Sequence, residues 1–397
     1  MYPERPQLVA DLVPLPQGNG PKIKAFDFQG PQQIQFLDHL GSGIHSIVFK
    51  VKIRSQIYAL KLASITLHNK TEYNQRLTTH PDNRDDPDAL GAFYPYSEPF
   101  TCECRAFGRL QETGYEELAV KCFGYILLDD AHERTMMSQF AYLPAHKLSF
   151  TWDGYHDHDE EEYYKDRNLR DMRTRFRCSD GSLPPIRGII KEFGESKVLD
   201  YKGAKSILRD IKYVQQLGIT DLDLAHRQII NGKLSDFSTS ITVPHFASNP
   251  EWNLHLSRSC RSKIDFELFA TCYKDFRDFD IMIHDWNEDH KDQKDKQINL
   301  KALPEGFPPE RRRLRNTSAQ RRLNTHVDPR NYTRYLPYTN RQGQIVRRTF
   351  RALARKPSLW YMECSAAAVR RLKETARIES GLHWQYQNEH IVPLDQA

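Results

Sequence analysis

G-I-T-D-L-D-L-A-H-R-Q-I-I-N-G-K-L-S-D-F-S, from Gly218 to Ser238, is the stretch on which the fold turns. Asn231-Gly232 lies between apolar runs and both residues tolerate positive φ, so the pair predicts a tight hairpin. Just upstream, Ile207, Leu208, Ile211, Val214 and Leu217 recur at helical spacing in G-A-K-S-I-L-R-D-I-K-Y-V-Q-Q-L-G. An amphipathic helix thus leads into a hairpin with a carboxylate on either side, Asp223 before it and Asp236 after it. Two such acids are either a surface feature or a working pair, and the flanking sequence must decide.

Towards the N-terminus, three β-rich runs fill Ile34 to Ala63: I-Q-F-L-D-H-L, I-V-F-K-V-K-I and I-Y-A-L-K-L-A. A Gly-containing turn separates the first two and a polar R-S-Q turn the last two. Residues 67–98 are polar and turn-rich and read as an insertion loop. T-C-E-C-R-A-F-G-R-L-Q-E-T-G then suits a helix ending at Gly114, and E-L-A-V-K-C-F-G-Y-I-L-L a strand. The charged stretch D-G-Y-H-D-H-D-E-E-E-Y-Y-K-D belongs to a second, solvated insertion, after which P-P-I-R-G-I-I-K-E-F resumes an extended pattern. Beyond the hairpin, K-I-D-F-E-L-F-A-T-C-Y-K-D-F-R-D-F-D-I-M-I-H-D-W reads as a helix. Residues 285–330 are charged and expected to be mobile, and L-W-Y-M-E-C-S-A-A-A-V-R-R-L-K-E-T-A-R-I makes a late helix.

The chemistry-bearing residues follow that order of elements. From Gly41 the chain reads G-S-G-I-H-S-I-V, a glycine loop that lets backbone approach a ligand without Cβ interference. Y-A-L-K at Tyr58–Lys61 puts a lysine on the third strand. A lysine in an apolar cleft needs a counter-charge, because desolvation otherwise lowers its pKa. Glu103, in the following helix, is the candidate, although an acid there also suits the helix macrodipole.

Together these residues resemble the protein-kinase superfamily over roughly residues 34–285. The resemblance implies an α+β, bilobal fold: a small β-sheet N-lobe with one main helix, a helical C-lobe and a C-terminal extension. The domains would be an extended leader at 1–33, the N-lobe at 34–194 with insertions at about 67–98 and 130–184, the C-lobe at 195–285, and a basic extension at 286–397. It implies ATP and Mg²⁺ as cofactors. Gly41, Gly43 and Val48 would cover the nucleotide, Ala59 would pack under adenine, and Lys61 would pair with the phosphates and with Glu103. Glu192 to Gly194 would offer backbone groups to adenine, with Ile190 near the gatekeeper position. Asp223 would accept the hydroxyl proton, and Asp236 and Gln228 would hold the metal.

Several positions depart from that pattern. Ser46 replaces the third loop glycine, at about 1 kcal/mol if the site needs positive φ. Asp221 and Leu222 stand for the His-Arg pair, Gln228 for the metal-binding Asn, and Ser238 for the D-F-G glycine. Ala225 removes the lysine of serine/threonine kinases, while D-L-A-H-R-Q is similar to the D-L-A-A-R-N of tyrosine kinases and gives Arg227 a supporting place. N-P-E at Asn249–Glu251 is a partial A-P-E, and Asp265 is either the brace of the catalytic loop or a helix N-terminal acid. More narrowly, P-F-T-C-E-C-R-A-F-G-R-L-Q-E, N-G-K-L-S-D-F-S and D-P-R-N-Y (Asp328–Tyr332) resemble a fungal kinase-like family named after a subunit of an inner-kinetochore complex. That implies a fungal source and a centromere-associated role.

Composition narrows the setting. With 39% hydrophobic residues, mean hydropathy −0.70 and no long apolar run, a membrane span is not expected. The start shows no signal-peptide pattern, so the expected location is nuclear or cytoplasmic, not secreted. Seven scattered cysteines lack zinc-ligand spacing and read as packed thiols. Residues 301–397 hold 19 Lys and Arg against 8 Asp and Glu, a charge of +11 that leaves −6 for the rest of a +5 chain. That segment invites an acidic partner. Its run Glu310–Arg322 is a nuclear-import signal, a nucleic-acid contact or a solvated linker, and no stacking or zinc module accompanies it to support direct nucleic-acid binding. His156 and His158, in a field of acids, are either metal ligands or a solvated loop.

Two functions follow, and protein partners are expected for both. The departures favour a pseudokinase scaffold that binds nucleotide. The alternative is an active atypical kinase, since Lys61, Glu103, Asp236 and Asp223 are all present. A small-molecule phosphotransferase of the same fold is the third reading, and whether the chain is an enzyme stays open at this point.

Overall fold

The computed structural model describes residues 20–26, 33–43, 46–63, 65–66, 87–143, 151–152, 181, 183–249, 256–303, 326–335, 338–339, 342, 345–346, 353–354, 359–360 and 383–394. The chain divides into two compact units, Met1–Gly108 with Val120–Gly194 and Arg109–Ala119 with Glu195–Ala397.

The first unit is built on an antiparallel sheet of β1 (Ile34–Ser42), β2 (Ser46–Ile53), β3 (Gln56–Ala63), β4 (Cys122–Leu128) and β5 (Ile186–Glu192). Its spatial order is β1-β2-β3-β5-β4. Period-2 alternation sorts the side chains. Phe36, Phe49, Val51, Tyr58, Leu60, Leu62 and Ile190 fill one core with Met136 and Phe140, the first of them from helix α3 (Asp130–Gln139). In an α+β unit this apolar face is the one that a helix must cover.

Segments expected to be loose contribute to this unit. In the leader, Tyr125 N–H donates to the Lys24 carbonyl at 3.1 Å and Phe26 N–H to the Tyr125 carbonyl at 2.8 Å. Residues 24–26 thereby extend the sheet beside β4, with Ile23, Ala25 and Phe26 buried. The reading of 67–98 as a loop is corrected over Pro87–Ser97, which form a helix, α1, burying Ala89 and Phe93. Gly91 and Pro95 inside it disguised the helical pattern.

The next helix, α2 (Pro99–Thr113), ends as expected before Gly114, whose φ is +73°. Its residues 101–110 are all buried, so an ordinary amphipathic stripe is absent there. A Cβ on Gly108 would lie 2.7 Å from the backbone N and C of Lys22, so glycine is what lets the leader cross the helix. α2 is shared: residues to Gly108 belong to the first unit and those from Arg109 to the second.

In the second unit, α4 (Tyr201–Gln216) is N-capped by Asp200, which accepts from Gly203 N–H at 2.6 Å. Ile207, Ile211, Val214 and Leu217 are buried as their spacing requires, and Leu208 is half-buried. The hairpin forms where Asn231-Gly232 places it, with φ of +53° and +76° and Lys233 opposite Ile230. α5 (Arg258–Asp289) is N-capped by Ser257. The expectation of mobility from residue 285 is corrected as far as residue 303: Trp286 Nε1 donates to the Lys296 carbonyl, Asn287 exchanges two bonds with Ile298, and Asp280 accepts from Ala302 and Leu303. Leu359–Trp360 pair as a strand with His326–Val327, where a late helix was expected; residues 361–382 lie outside the described residues. So do Glu310–Arg322, His156 and His158. No helix among the described residues is long and apolar enough to cross a membrane.

Candidate functional site

The second face of the sheet carries the polar chemistry of the first unit. Val48 pairs with Lys61, Lys61 with Ile189, and Ala59 with Lys191, so alternation puts Val48, Ala59, Lys61 and Lys191 on one face. Lys61 Nζ lies 2.8 Å from Glu103 Oε2, with side chains 6% and 2% exposed. The ion-pair reading of Glu103 therefore holds over the helix-terminus one. A second lysine was not anticipated: Lys191 Nζ lies 2.6 Å from Glu103 Oε1 and 5.7 Å from the Phe107 ring centroid. Its signal was available in R-G-I-I-K-E, where Lys191 follows Ile189 by one alternation and must share its face.

This corrects the placing of Ile190 near the gatekeeper position. Ile190 is fully buried in the opposite core, and Lys191 occupies the face beside Lys61. Glu192 N–H donates to the Lys121 carbonyl at 2.8 Å, so that amide is already spent and Phe193 and Gly194 are what remains of the proposed backbone edge. Gly41 and Gly43 face open space, where an added Cβ would meet nothing within 4 Å, and Gly43 N–H donates to the Ser46 carbonyl. Ser46 is not in the positive-φ region, so it does not incur the backbone cost anticipated for it.

In the second unit the polypeptide around Asp223 is held from α5. Asp275 Oδ1 accepts from Leu222 N–H at 2.8 Å, and its Oδ2 accepts from Asp221 N–H at 3.2 Å and Gln215 Nε2 at 2.9 Å. Asp275, and not Asp265, is the brace of this loop; Asp265 instead accepts from Arg330 Nη1. An acid flanked by Cys272, Phe276 and Phe279 on the apolar stripe was the sequence signal for it. Burial pushes the Asp275 carboxyl up to about 7 against the pull of its donors, and pushes Asp221 well above the carboxylate range. Asp221 Oδ1 is 3.1 Å from Lys274 Nζ, an ion pair without a well-directed hydrogen bond, and Lys274 also meets Asp278 at 2.8 Å. These carboxylates raise Lys274 against the effect of burial.

Asp221 and Asp223 both take left-handed φ, +65° and +45°, and Asp223 is exposed while Asp221 and Leu222 are buried. Gln228 Oε1 is buried without a hydrogen-bond partner among the described residues. Its backbone carbonyl accepts from Ser235 N–H at 3.1 Å and Oγ at 2.6 Å, so Gln228 sits across the hairpin from the residue preceding Asp236. Asp236 Oδ1 accepts from Ser238 N–H at 2.9 Å, and Phe237 is fully buried. Among the described residues no group of three His, Cys, Asp or Glu side chains is placed to hold a metal ion.

Two quoted motifs meet through Arg109. Its guanidinium donates to the Leu217 carbonyl at 2.6 Å, to the Val243 carbonyl and to Glu112, and stacks 3.5 Å from the Tyr332 ring centroid. Tyr332 Oη closes the ring on Glu112 at 3.1 Å, which joins E-C-R-A-F-G-R-L to D-P-R-N-Y. The described cysteines, Cys102, Cys104, Cys122, Cys260 and Cys272, are buried thiols outside any disulfide, and burial pushes Cys102 up to about 12.

One protein-family model, described as kinetochore Sim4 complex subunit FTA2, matches residues 12–241, more than half of the chain. No curated protein matches it.

Proposed function

The chain belongs to the FTA2 family of kinetochore Sim4 complex subunits, and from that membership we propose that it serves as a kinase-like, nucleotide-binding scaffold in a nuclear kinetochore assembly. The observation that carries the nucleotide half is the buried Lys61–Glu103 pair on a sheet face that also bears Val48 and Ala59. A buried ion pair is costly to keep and is a weak stabiliser, so its retention favours a task beyond holding the fold. The strand order β1-β2-β3-β5-β4 and the open side of Gly41 and Gly43 support the same reading.

The orphaned Gln228 Oε1 is the kind of oxygen a hard cation takes, so Gln228 and Asp236 fit the role of holding Mg²⁺. When bound, that ion would neutralise phosphate charge. Lys61 would hold the nucleotide phosphates, and Ala59 and Val48 would exclude water from the base.

The scaffold half rests on the loop around Asp223. Leu222, in the position of the phosphate-reading arginine, is buried, and Asp221 beside it is spent on Lys274. Such a loop lacks an arginine at the position that would read a phosphorylated segment. An active kinase remains the second reading because Asp223 is exposed on a loop that Asp275 braces. There Asp223 would accept the proton of a substrate hydroxyl.

The test is an ATP titration with and without Mg²⁺, followed by radiolabelled phosphate transfer. Binding that Lys61→Met abolishes, with no transfer above an Asp223→Asn control, is the expected result. Transfer above that control would replace the scaffold with the kinase. Absence of any nucleotide binding would remove the nucleotide half and leave assembly alone.

A further inference from the structure

Glu103 is shared. Its Oε1 lies 2.6 Å from Lys191 Nζ and its Oε2 2.8 Å from Lys61 Nζ, and all three side chains are less than a tenth exposed. An ammonium that serves both a buried glutamate and a phosphate must divide its three donors between them, and each bond it withdraws from the carboxylate exposes part of that carboxylate's desolvation penalty. Here the carboxylate would keep a partner. Residues 101–110 of α2 are all buried and the Glu103 side chain is 2% exposed, so water does little to compensate its carboxylate. Lys191 is itself fixed, on the strand beside β3 and near the ring of Phe107, one helical turn from Glu103.

We propose that Lys191 is a positioning residue for an anionic ligand: by holding Glu103 through its other oxygen, it lets Lys61 commit more of its donors to a nucleotide's phosphates while it still faces Glu103. The identity of the ligand rests on the nucleotide reading above. The sharing of Glu103 does not, and the two can fail separately.

The experiment uses the full chain and four variants: Lys61→Met, Lys191→Met, the double variant, and Lys191→Arg. Thermal denaturation without nucleotide tests the sharing. Each single lysine loss is expected to lower the melting temperature by a few degrees, and the double by about 10 °C, more than the sum, with Glu103→Gln added to the double restoring most of it. Additive losses, or no rescue by Glu103→Gln, would overturn the shared carboxylate. ATP and adenosine titrations then test the positioning role. Lys191→Met should weaken ATP about tenfold, the scale of one charged hydrogen bond, leave adenosine unchanged, and be recovered in Lys191→Arg. Equal weakening of ATP and adenosine would make Lys191 a structural residue and overturn the role. A wild-type chain that binds neither would overturn the nucleotide reading and the phosphate role together, while the denaturation series still decides whether Glu103 is shared.

Discussion

The two units bury charge with opposite bias. In the first, two ammonium groups meet one carboxylate: Lys61 and Lys191 on Glu103. In the second, Lys274 meets Asp221 and Asp278, Arg277 also meets Asp278, and Asp275 is buried next to them, so acids outnumber cations. Cations gathered around one acid suit a place that receives an anion. Acids in excess of their cations must be settled internally, and Asp275 does so by accepting two backbone N–H groups of the loop that carries Asp223. The second cluster holds polypeptide in a left-handed path that L-residues otherwise avoid.

Removing one lysine from each cluster is the most direct way to break this contrast. Lys274→Met takes from buried Asp221 the ion-pair partner it has on α5 and should cost about 3–5 kcal/mol near pH 8. Lys61→Met should cost about 1 kcal/mol, because Glu103 keeps Lys191. Urea denaturation of both variants measures the difference, and equal losses would erase it. The sign with pH is fixed by Asp221: its folded pKa is raised, so the proton it takes up on acidification relieves the variant. The penalty of Lys274→Met should therefore shrink as pH falls from 8 towards 5.

A smaller effect sharpens the view that the first unit also depends on backbone proximity. Gly108→Ala gains about 1 kcal/mol of helix propensity but forces a Cβ to within 2.7 Å of Lys22. Overpacking of that kind costs typically 1–3 kcal/mol, and the expected outcome is a net loss with the leader newly open to protease. A stabilised variant with an unchanged cleavage pattern would show that the leader gives way freely.

What the sequence disclosed follows the same division. The alternating strands, α4 and the Asn231-Gly232 hairpin were legible because each is governed by local periodicity or by one turn preference. Glu103 was legible because Lys61 demanded a counter-charge. Lys191 was less legible because it follows the apolar pair Ile189-Ile190, and only the strand register puts it on the face of Lys61. Asp275 lost to Asp265 because each is an acid in one long helix, and only tertiary packing decides which of them meets a loop fifty residues earlier. α1 was hidden by a glycine and a proline that ordinarily mark loops.

Burial in the second unit extends past its carboxylates to His326, which stacks on Phe276 and has no hydrogen-bond partner at either ring nitrogen among the described residues. Burial lowers its pKa from 6.5 to about 3. The folded state therefore keeps it neutral while the unfolded chain protonates, so this stability is complete above about pH 6.5 and is lost as pH falls towards 3. His326→Phe should be more stable than the parent by about 1 kcal/mol at pH 7.5. That advantage should grow by about 1.4 kcal/mol per pH unit below 6.5. An advantage that stays flat from pH 7 to 5 would show that His326 protonates in place.

The smallest contrast lies in two hairpins, one in each unit. Asn231-Gly232 meets the left-handed turn in the second unit with residues suited to it, φ +53° and +76°. In the first unit the β2–β3 turn is Arg54-Ser55, and Arg54 takes φ +57° with a full side chain. A left-handed L-residue costs about 1–2 kcal/mol, offset in Arg54→Gly by the greater freedom of glycine in the unfolded chain. The net gain should be up to about 1 kcal/mol, read by urea denaturation, because the turn closes the end of β2 and β3. Gly232→Ala in the other hairpin should have the opposite sign and similar size. If both substitutions shift stability in the same direction, turn strain is not what separates the two hairpins, and Arg54 is held by its neighbours instead.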